Sequence, residues 1–212
     1  MFTGIVEEIG TLRSLRVGEK SAVLDVAASV VPEGAAVGDS ILTDGVCLTI
    51  TGLRPGGFTA DVMPETVRRT TLADRRPGDR LNLERALTLQ SRLGGHLVSG
   101  HIDGVGTVVG VTPEDNALVV EIEAPPAVSD VSVAQGSVAV DGVSLTVVAV
   151  EGRRLRVSLI PHTAAATTLG RLAAGARVNL EADLIAKYVY AFVAGRRPED
   201  GLTWEKLAEA GF

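Results

Sequence analysis

Two positions in the sequence carry nucleophilic side chains in matched surroundings. Residues 44–50 read Asp-Gly-Val-Cys-Leu-Thr-Ile, and residues 141–147 read Asp-Gly-Val-Ser-Leu-Thr-Val. Cys47 in the first segment therefore corresponds to Ser144 in the second, and a thiol and a hydroxyl both act as nucleophiles when a base activates them. The pattern predicts two related pockets with different tasks. The alternative is that a cysteine and a serine of similar size fill equivalent places in two hydrophobic cores.

The elements around these two positions are repeated as well. Of the 41 positions from 44 to 84, 15 are identical to the residue 97 positions later, without a gap. Gly4, Gly10 and Thr11 also recur, at an offset of 96. Self-similarity at a fixed offset identifies repeat architectures, and two copies of this length indicate a duplicated domain. We place the copies at residues 1–95 and 96–183.

The composition is that of an ordinary globular protein and excludes several function classes. The net charge is −6 and no basic run exceeds Arg-Arg, so a nucleic-acid partner is not expected. A single cysteine cannot form an internal disulfide, which fits a reducing cytoplasm. No apolar segment approaches the length of a membrane span, and no metal-binding motif occurs. We therefore expect neither a metal nor a membrane association.

Short strands with turn signals between them dominate the pattern. The high glycine count and the low aromatic fraction favour strands and tight turns over long helices. Asp44-Gly45 is a hairpin or bulge signal, and Pro64-Glu65-Thr66 predicts the start of a short helix. Such spacing predicts a small closed barrel or a sandwich in each copy. The predicted strands are 2–17, 21–28, 39–51, 58–63, 80–86, 117–123, 137–150, 154–160 and 176–182.

The tail, residues 184–212, has no counterpart in the first copy. Residues 184–194 carry apolar side chains at helical spacing, and Gly195 is a plausible stop. A second short helix is predicted at 203–209, with Thr203 as its cap. Because the first helix is apolar on nearly all sides, it favours oligomerisation, with packing onto the chain's own barrel as the alternative.

Four segments together resemble the riboflavin synthase alpha chain family. These are the opening Met-Phe-Thr-Gly-Ile-Val, the Asp-Gly-Val-Cys-Leu-Thr and Asp-Gly-Val-Ser-Leu-Thr segments, and Gly-Gly-His-Leu-Val-Ser-Gly-His at residues 94–101. The resemblance covers the whole chain. It implies an all-β fold of two tandem six-stranded Greek-key barrels with a C-terminal α-helix that joins three chains into a homotrimer.

The resemblance also implies a reaction. Two molecules of 6,7-dimethyl-8-ribityllumazine dismutate, one donating four carbons to the other, to give riboflavin and 5-amino-6-(D-ribitylamino)uracil. No cofactor or metal takes part. Each barrel binds one lumazine, and the active site forms where the N-terminal barrel of one chain faces the C-terminal barrel of its neighbour. Association with lumazine synthase is left open.

The resemblance assigns four candidate catalytic residues. Cys47 is a candidate nucleophile or hydrogen-bond donor, and His101 a candidate general acid–base group. Ser144 and Asp183 are a candidate hydrogen-bonded pair, with helix capping as the alternative for Asp183. His96 is expected to be no more than structural.

The substrate-binding residues carried over from the family fall into two sets. The first barrel is expected to use the first set and the second barrel the second set, with Phe2 and Thr3 reaching across the site. Gln135 stands where the family often has a ligand-contacting lysine, and it keeps hydrogen bonding but lacks the charge. The first set is Gly4, Ile5, Val6, Cys47, Leu48, Thr49, Asp61, Val62, Met63, Pro64, Glu65 and Thr66; the second is Gly100, His101, Ile102, Ser144, Leu145, Thr146, Ser158, Leu159, Ile160, Pro161, His162 and Thr163.

Two other function classes compete with the synthase. A non-catalytic lumazine- or flavin-binding antenna protein shares the duplicated fold, but such proteins have usually lost the opening Phe-Thr-Gly and much of one ligand site. The flavin-binding barrel of a reductase is normally followed by a nicotinamide-binding α/β domain, and no such segment is present. The residues kept here favour the synthase.

Overall fold

The computed structural model describes residues 1–18 and 22–194. The first copy forms a closed antiparallel barrel in which the strands follow the order β1-β2-β5-β4-β3-β6. The path returns from β5 through β4 and β3 to β6 beside β1, as a Greek key requires. The strands are β1 (Glu8–Val17), β2 (Ala22–Ala27), β3 (Ser40–Thr43), β4 (Val46–Arg54), β5 (Gly57–Val62) and β6 (Arg80–Arg85).

The second copy forms a second closed barrel with the same strand order, β7-β8-β11-β10-β9-β12. The duplication therefore produces two barrels, and the all-β prediction is confirmed. The strands are β7 (Gly104–Glu114), β8 (Ala117–Glu123), β9 (Ser137–Val140), β10 (Val143–Glu151), β11 (Arg154–Leu159) and β12 (Arg177–Ala182).

Each barrel encloses its own core because apolar and polar side chains alternate along the strands. In β4, Val46, Leu48 and Ile50 are buried, whereas Thr49 between them is exposed. The same alternation in β10 buries Val143, Leu145 and Val147. The two cores are separate clusters of buried residues. Alternation thus decides which side of each strand faces the outside of the barrel.

The two Asp-Gly pairs form hairpin turns. Asp44 and Gly45 have φ of 45° and 83°, and Asp141 and Gly142 have φ of 44° and 77°. Two consecutive positive φ angles characterise the tight hairpin turn whose twist matches that of the flanking strands. The predicted strand regions 39–51 and 137–150 are therefore two strands each, and Asp44-Gly45 forms the hairpin, not the bulge, that its sequence allows.

Short helices lie between the last two strands of each barrel, and one short helix was not predicted. The predicted helix start at Pro64 is correct, and Pro161 begins the equivalent helix. A helical turn of the 3₁₀ type follows each of these helices, at Thr71–Asp74 and Thr168–Arg171. The helices are α1 (Pro64–Arg69), α2 (Pro126–Ser129), which had no sequence signal that we recognised, α3 (Pro161–Ala166) and α4 (Leu184–Val193).

Helix α4 leaves the second barrel with apolar side chains in solvent. Ile185, Tyr188, Val189, Phe192 and Val193 are each more than half exposed. These five side chains therefore do not pack onto the chain's own barrel. The helix predicted at 203–209 lies outside the described residues. None of the described helices is long and apolar enough to cross a membrane.

A symmetrical pair of asparagines joins the barrels. The Asn82 side chain accepts a hydrogen bond from the amide of Thr168 at 2.8 Å, and the Asn179 side chain accepts one from the amide of Thr71 at 2.8 Å. Both asparagines are buried, and each also donates to the turn of the opposite barrel. Each contact from the first copy to the second has an equivalent contact from the second copy to the first, so a pseudo-twofold axis relates the barrels.

Candidate active site

The segments that precede β1 and β7 cross from one barrel to the other. The Gly4 carbonyl accepts a hydrogen bond from the Ser144 amide at 2.8 Å, and the Gly100 carbonyl accepts one from the Cys47 amide at 2.9 Å. Between them, Phe2 and Val98 form an antiparallel bridge. The predicted strand at 2–17 therefore begins only at residue 8, because residues 2–6 pair with the other half of the chain.

Glycine is required at both crossing points. Gly4 has a φ of 75°, and a Cβ atom there would lie 2.6 Å from Ser144 Cβ. Gly100 has a φ of 84°, and its Cβ would lie 2.4 Å from Cys47 Cβ. Only glycine accepts both the positive φ and the close approach. The two nucleophilic positions are thus the points at which each barrel receives the segment of the other.

A buried carboxylate holds each crossing segment to its own barrel. Glu84 on β6 accepts hydrogen bonds from the amide and hydroxyl of Thr3, both at 2.7 Å, and from the Gly4 amide. Glu181 on β12 accepts the same three bonds from Ser99 and Gly100. Burial raises the pKa of Glu84, and the hydrogen bonds from Thr3 and Gly4 oppose that shift. Each segment is therefore hydrogen-bonded to its own barrel while it contacts the opposite barrel.

This exchange corrects the predicted grouping of the site residues. The family resemblance predicts Gly4, Ile5 and Val6 beside Cys47, and residues 100–102 beside Ser144, whereas the structure has the opposite pairing. The repeat aligns the two segments with each other but does not reveal that they are exchanged. We call the residues around Cys47 the first half-site and those around Ser144 the second half-site. The first half-site is Cys47, Thr49, residues 61–66 and residues 100–102; the second is Ser144, Thr146, residues 158–163 and residues 4–6.

The first half-site presents a thiol, a hydroxyl and a carboxylate on the outside of the first barrel. Cys47 is a free, half-buried thiol. Thr49 and Asp61 are directly paired across β4 and β5, and both are exposed. His101 is exposed at the end of the crossing segment, while the neighbouring Ile102 packs against the first core. The half-site can therefore offer hydrogen-bond donors and acceptors to a ligand lying on the barrel surface.

The second half-site contains His96, for which the sequence predicts only a structural role. His96 Nδ1 lies 2.7 Å from Ser144 Oγ, within hydrogen-bond distance. His96 is 8% exposed, and its Nε2 has no hydrogen-bond partner among the described residues. Burial lowers the pKa of His96, against the opposing effect of the negative charges of Asp183 and Glu181. A neutral imidazole at pH 7 can hold or accept the proton of the Ser144 hydroxyl.

Asp183 is not the hydrogen-bond partner of Ser144 within the described chain. Its Oδ1 accepts from the amides of Ile185 at 2.8 Å and Ala186 at 3.4 Å. It therefore caps the start of α4, the alternative role that its sequence position allows. Its charge still acts on His96, so Asp183 influences the serine through the histidine rather than by direct contact.

Several other predicted binding residues have buried side chains, which cannot contact a ligand on the barrel surface. Leu48, Val62, Leu145 and Leu159 lie in the barrel cores, with side-chain exposures from 0% to 7%. Phe2 is fully buried with Val98, Leu42 and Ala139, so it anchors the crossing segment rather than reaching across the site. These residues shape the half-sites by packing.

The remaining predicted residues are at the surface. Glu65 pairs with Arg68 and Arg69, and the hydrogen bonds from these arginines lower the pKa of its carboxyl. Gln135 is exposed with a φ of 67°, in the turn before β9. Met63 and Ile160 are 69% and 60% exposed. Both half-sites are thus open surfaces of the single chain.

A cavity of about 760 Å³ adjoins the second half-site at Ile5. It borders Thr3, Ile5 and the segment 87–94, and neither Cys47 nor Ser144 lines it. The predicted nucleophiles are therefore presented on exposed barrel faces and not inside this cavity.

The chain is similar to proteins of known function along its whole length. The model of the lumazine binding domain family matches it twice, at residues 3–86 and 99–183. The riboflavin synthase of Bacillus subtilis (strain 168) is 40% identical over 215 residues and covers 100% of both chains. The riboflavin synthase of Mycobacterium tuberculosis (strain ATCC 25618 / H37Rv) is 49% identical over 193 residues, covering 89% of this chain and 96% of that one.

A solved structure has the same fold. The crystal structure of LumP complexed with 6,7-dimethyl-8-(1'-D-ribityl) lumazine is 25% identical, with a TM-score of 0.77 over 85% of this chain and 98% of the other. The structure of LumP complexed with riboflavin has a TM-score of 0.79 at 24% identity, which supports the fold.

Proposed function

The chain belongs to the riboflavin synthase family, and we propose that its two half-sites bind the two substrate molecules of that family's reaction. The protein is an enzyme that dismutates 6,7-dimethyl-8-ribityllumazine. One molecule gives four carbons to the other, and the products are riboflavin and 5-amino-6-(D-ribitylamino)uracil. The two substrates together contain all the atoms of the two products, so the reaction balances without an added oxidant or reductant.

The observation that supports this assignment is the pairing of two equivalent surfaces by exchanged segments. A reaction between two copies of one molecule needs two similar pockets that are held in a fixed relation, and proximity can then supply much of the rate enhancement. The half-sites are equivalent in backbone but differ at Cys47 and Ser144. This difference suits two identical molecules that must play the roles of donor and acceptor.

We assign roles to the polar groups of the half-sites. Cys47 acts as nucleophile or hydrogen-bond donor toward the ring of one lumazine, and His101 as its acid–base group. Ser144, supported by His96 and through it by Asp183, activates a hydroxyl or a water at the other ring. Thr49 and Thr146 are exposed hydroxyls beside these groups and can bind the pyrimidinedione edge. Glu65 and Gln135 are further ligand contacts in this proposal.

We also propose a homotrimer in which the active site lies between chains. The units are an N-terminal barrel (1–95), a C-terminal barrel (96–183) and a trimerisation tail (184–212). The exposed apolar side chains of α4 support the tail's role, because such area in water usually marks a contact surface. Each half-site is open in one chain, so a neighbour's barrel could cover it. We further propose a cytoplasmic location, which the single free cysteine supports, and an association with lumazine synthase.

The function is tested by mixing the purified chain with 6,7-dimethyl-8-ribityllumazine alone and following the absorbance of riboflavin. We expect one riboflavin for every two lumazines consumed, without metal or added cofactor. Tight binding of lumazine with no riboflavin formed would instead support a non-catalytic lumazine-binding antenna protein.

A further inference from the structure

A cleft between the two barrels takes no part in either half-site. Its volume is about 430 Å³, and it lies where the 3₁₀ turns at Thr71–Asp74 and Thr168–Arg171 approach each other. It shares no lining residue with the half-sites. The polar side chains that line it include Thr71, Thr168, Asp74, Arg75, Arg171 and Arg177.

Three polar atoms at this cleft have no hydrogen-bond partner among the described residues. They are the hydroxyl oxygens of Thr71 and Thr168 and the Nε of Arg75. Thr71 is only 2% exposed, so bulk water does not readily form a hydrogen bond with its hydroxyl. The amides of both threonines already donate to Asn179 and Asn82. An unpaired buried donor costs free energy, so these groups indicate a ligand that accepts hydrogen bonds.

The cleft is also more positively charged than it would be if the second copy kept the residues of the first. Asp74 of the first copy corresponds to Arg171 of the second, which reverses a charge. Arg177 pairs with Asp74, and Arg75 pairs with Asp44 at 2.6 Å. Among the described residues, Arg171 has no acidic group within 4.0 Å. One guanidinium is therefore left to neutralise an anion.

The remaining acidic group that lines the cleft is Asp141. Burial and the neighbouring Asp44 raise its pKa well above the ordinary value. Three arginines, Arg75, Arg171 and Arg177, line the cleft against two aspartates, Asp74 and Asp141, so the arginines are in excess even when both carboxyls are ionised. The local field thus favours a negatively charged ligand.

We propose that this cleft binds a phosphoryl oxyanion. Arg171 and Arg177 supply positive charge, and the two threonine hydroxyls and Arg75 Nε donate hydrogen bonds to the phosphoryl oxygens. The ligand is either inorganic phosphate or a small phosphomonoester, since both present the same group. Because each barrel contributes one threonine and at least one arginine, binding links the barrels and stabilises their mutual arrangement.

The first test is the melting temperature of the full chain in inorganic phosphate, compared with chloride at equal ionic strength. We expect a saturable rise of at least about 2 °C. Phosphate also stabilises proteins without specific binding, so the comparison of variants decides the outcome. Arg171→Gln should lose the saturable part, whereas Arg153→Gln, a 60% exposed arginine outside the cleft, should keep it.

A second variant separates binding from stability. Thr71→Val removes a hydroxyl without an intramolecular partner, so in chloride its melting temperature should equal or exceed that of the wild type. Calorimetric titration with inorganic phosphate should show binding about tenfold weaker in Thr71→Val and in Arg171→Gln. An unsaturable response, or equal affinity in the wild type and both variants, would overturn the proposal.

A parallel titration with glycerol 3-phosphate distinguishes the two sources. Tighter binding of glycerol 3-phosphate than of inorganic phosphate supports a phosphomonoester ligand, and equal or weaker binding supports free phosphate. Loss of affinity for either probe in Arg171→Gln places the phosphoryl group in this cleft.

Discussion

Cys47 and Ser144 occupy equivalent places but have different neighbours. Both amides donate to a glycine carbonyl of a crossing segment, at 2.9 and 2.8 Å. The Ser144 side chain contacts His96, which follows Gly95 at the end of the linker. Among the described residues, no histidine makes the equivalent contact with the Cys47 side chain. The backbone frame is shared, and the chemistry differs.

Cys47→Ser should lower the rate of the chemical step and leave lumazine binding intact. The repeat itself accepts serine at this place, so the fold should tolerate the change. A hydroxyl is a poorer nucleophile than a thiol at neutral pH. We expect single-turnover riboflavin formation to slow at least about tenfold, equal to about 1.4 kcal/mol of transition-state stabilisation. An unchanged single-turnover rate, with binding measured by fluorescence, would remove Cys47 from the chemistry.

His96→Gln should abolish the acid limb of the pH–rate profile. Because burial lowers the pKa of His96, the neutral ring persists below the pH at which an exposed histidine is protonated. Loss of a positioned base should reduce kcat by roughly 10²-fold. His96→Gln and Ser144→Ala should be non-additive, because both remove one contact. Additive losses in the double variant would show that the two side chains act separately.

The crossing segments are the elements that complete each half-site. They are short, and each depends on one glycine, one buried glutamate and one backbone bond to the opposite barrel. A defect in either segment should therefore alter the half-site of the other barrel.

Gly100→Ala should disturb the first half-site although residue 100 belongs to the second copy. Its Cβ would lie 2.4 Å from Cys47 Cβ, and its φ of 84° is unfavourable for alanine. We expect a loss of roughly 1–3 kcal/mol of stability and a large loss of activity. Gly110→Ala is the control, since a Cβ there meets nothing within 4 Å. Equal melting temperatures and activities for both variants would contradict the close crossing.

Helix α4 should be the element that assembles chains. Phe192 is 82% exposed, so Phe192→Asp should not destabilise a single chain. We expect the variant to sediment as a monomer with little riboflavin synthase activity. Val37→Asp, at a position 63% exposed in a turn of the first barrel, is the control and should remain assembled. An active monomer would contradict a site shared between chains.

At the scale of the whole molecule, the two barrels meet around a pair of buried acids. Asp44 and Asp141 are both at the pseudo-twofold axis, and one arginine, Arg75, serves both, at 2.6 and 3.9 Å. Burial raises the pKa of Asp44 to about 6. The repeat equivalent of Arg75 is Leu172, so the second acid has no arginine of its own.

Stability should therefore fall as the pH rises from about 4 to neutral. The folded chain keeps protons on Asp44 and Asp141 that the unfolded chain releases near the ordinary pKa, so unfolding is favoured with increasing pH. Asp141→Asn keeps the acceptor for the Asn179 amide and tolerates the positive φ. Its melting temperature should match the wild type at pH 4 and exceed it by several degrees at pH 8. A difference that does not change with pH would contradict the raised pKa of Asp141.

The local pattern of residues predicted the duplication, most of the strands and the turns, but it did not predict β7 (Gly104–Glu114). Period-two alternation places one side of each strand in a core, and consecutive Asp-Gly pairs accept positive φ. These features depend on neighbouring residues, so they can be read from the chain. The same holds for the helix start at Pro64, and for Cys47 and Ser144 as matched positions.

The exchange of segments and the partners in the half-sites depended on packing between distant residues. The repeat aligns Gly4 with Gly100 whether each lies on its own barrel or on the other. Only the packed barrels bring Gly100 to Cys47 and His96 to Ser144, 48 positions away. From its sequence position alone, Asp183 could form a hydrogen bond with Ser144 or cap the start of α4. The backbone amides at the start of α4 take its carboxylate because a helix leaves its first amides without internal partners.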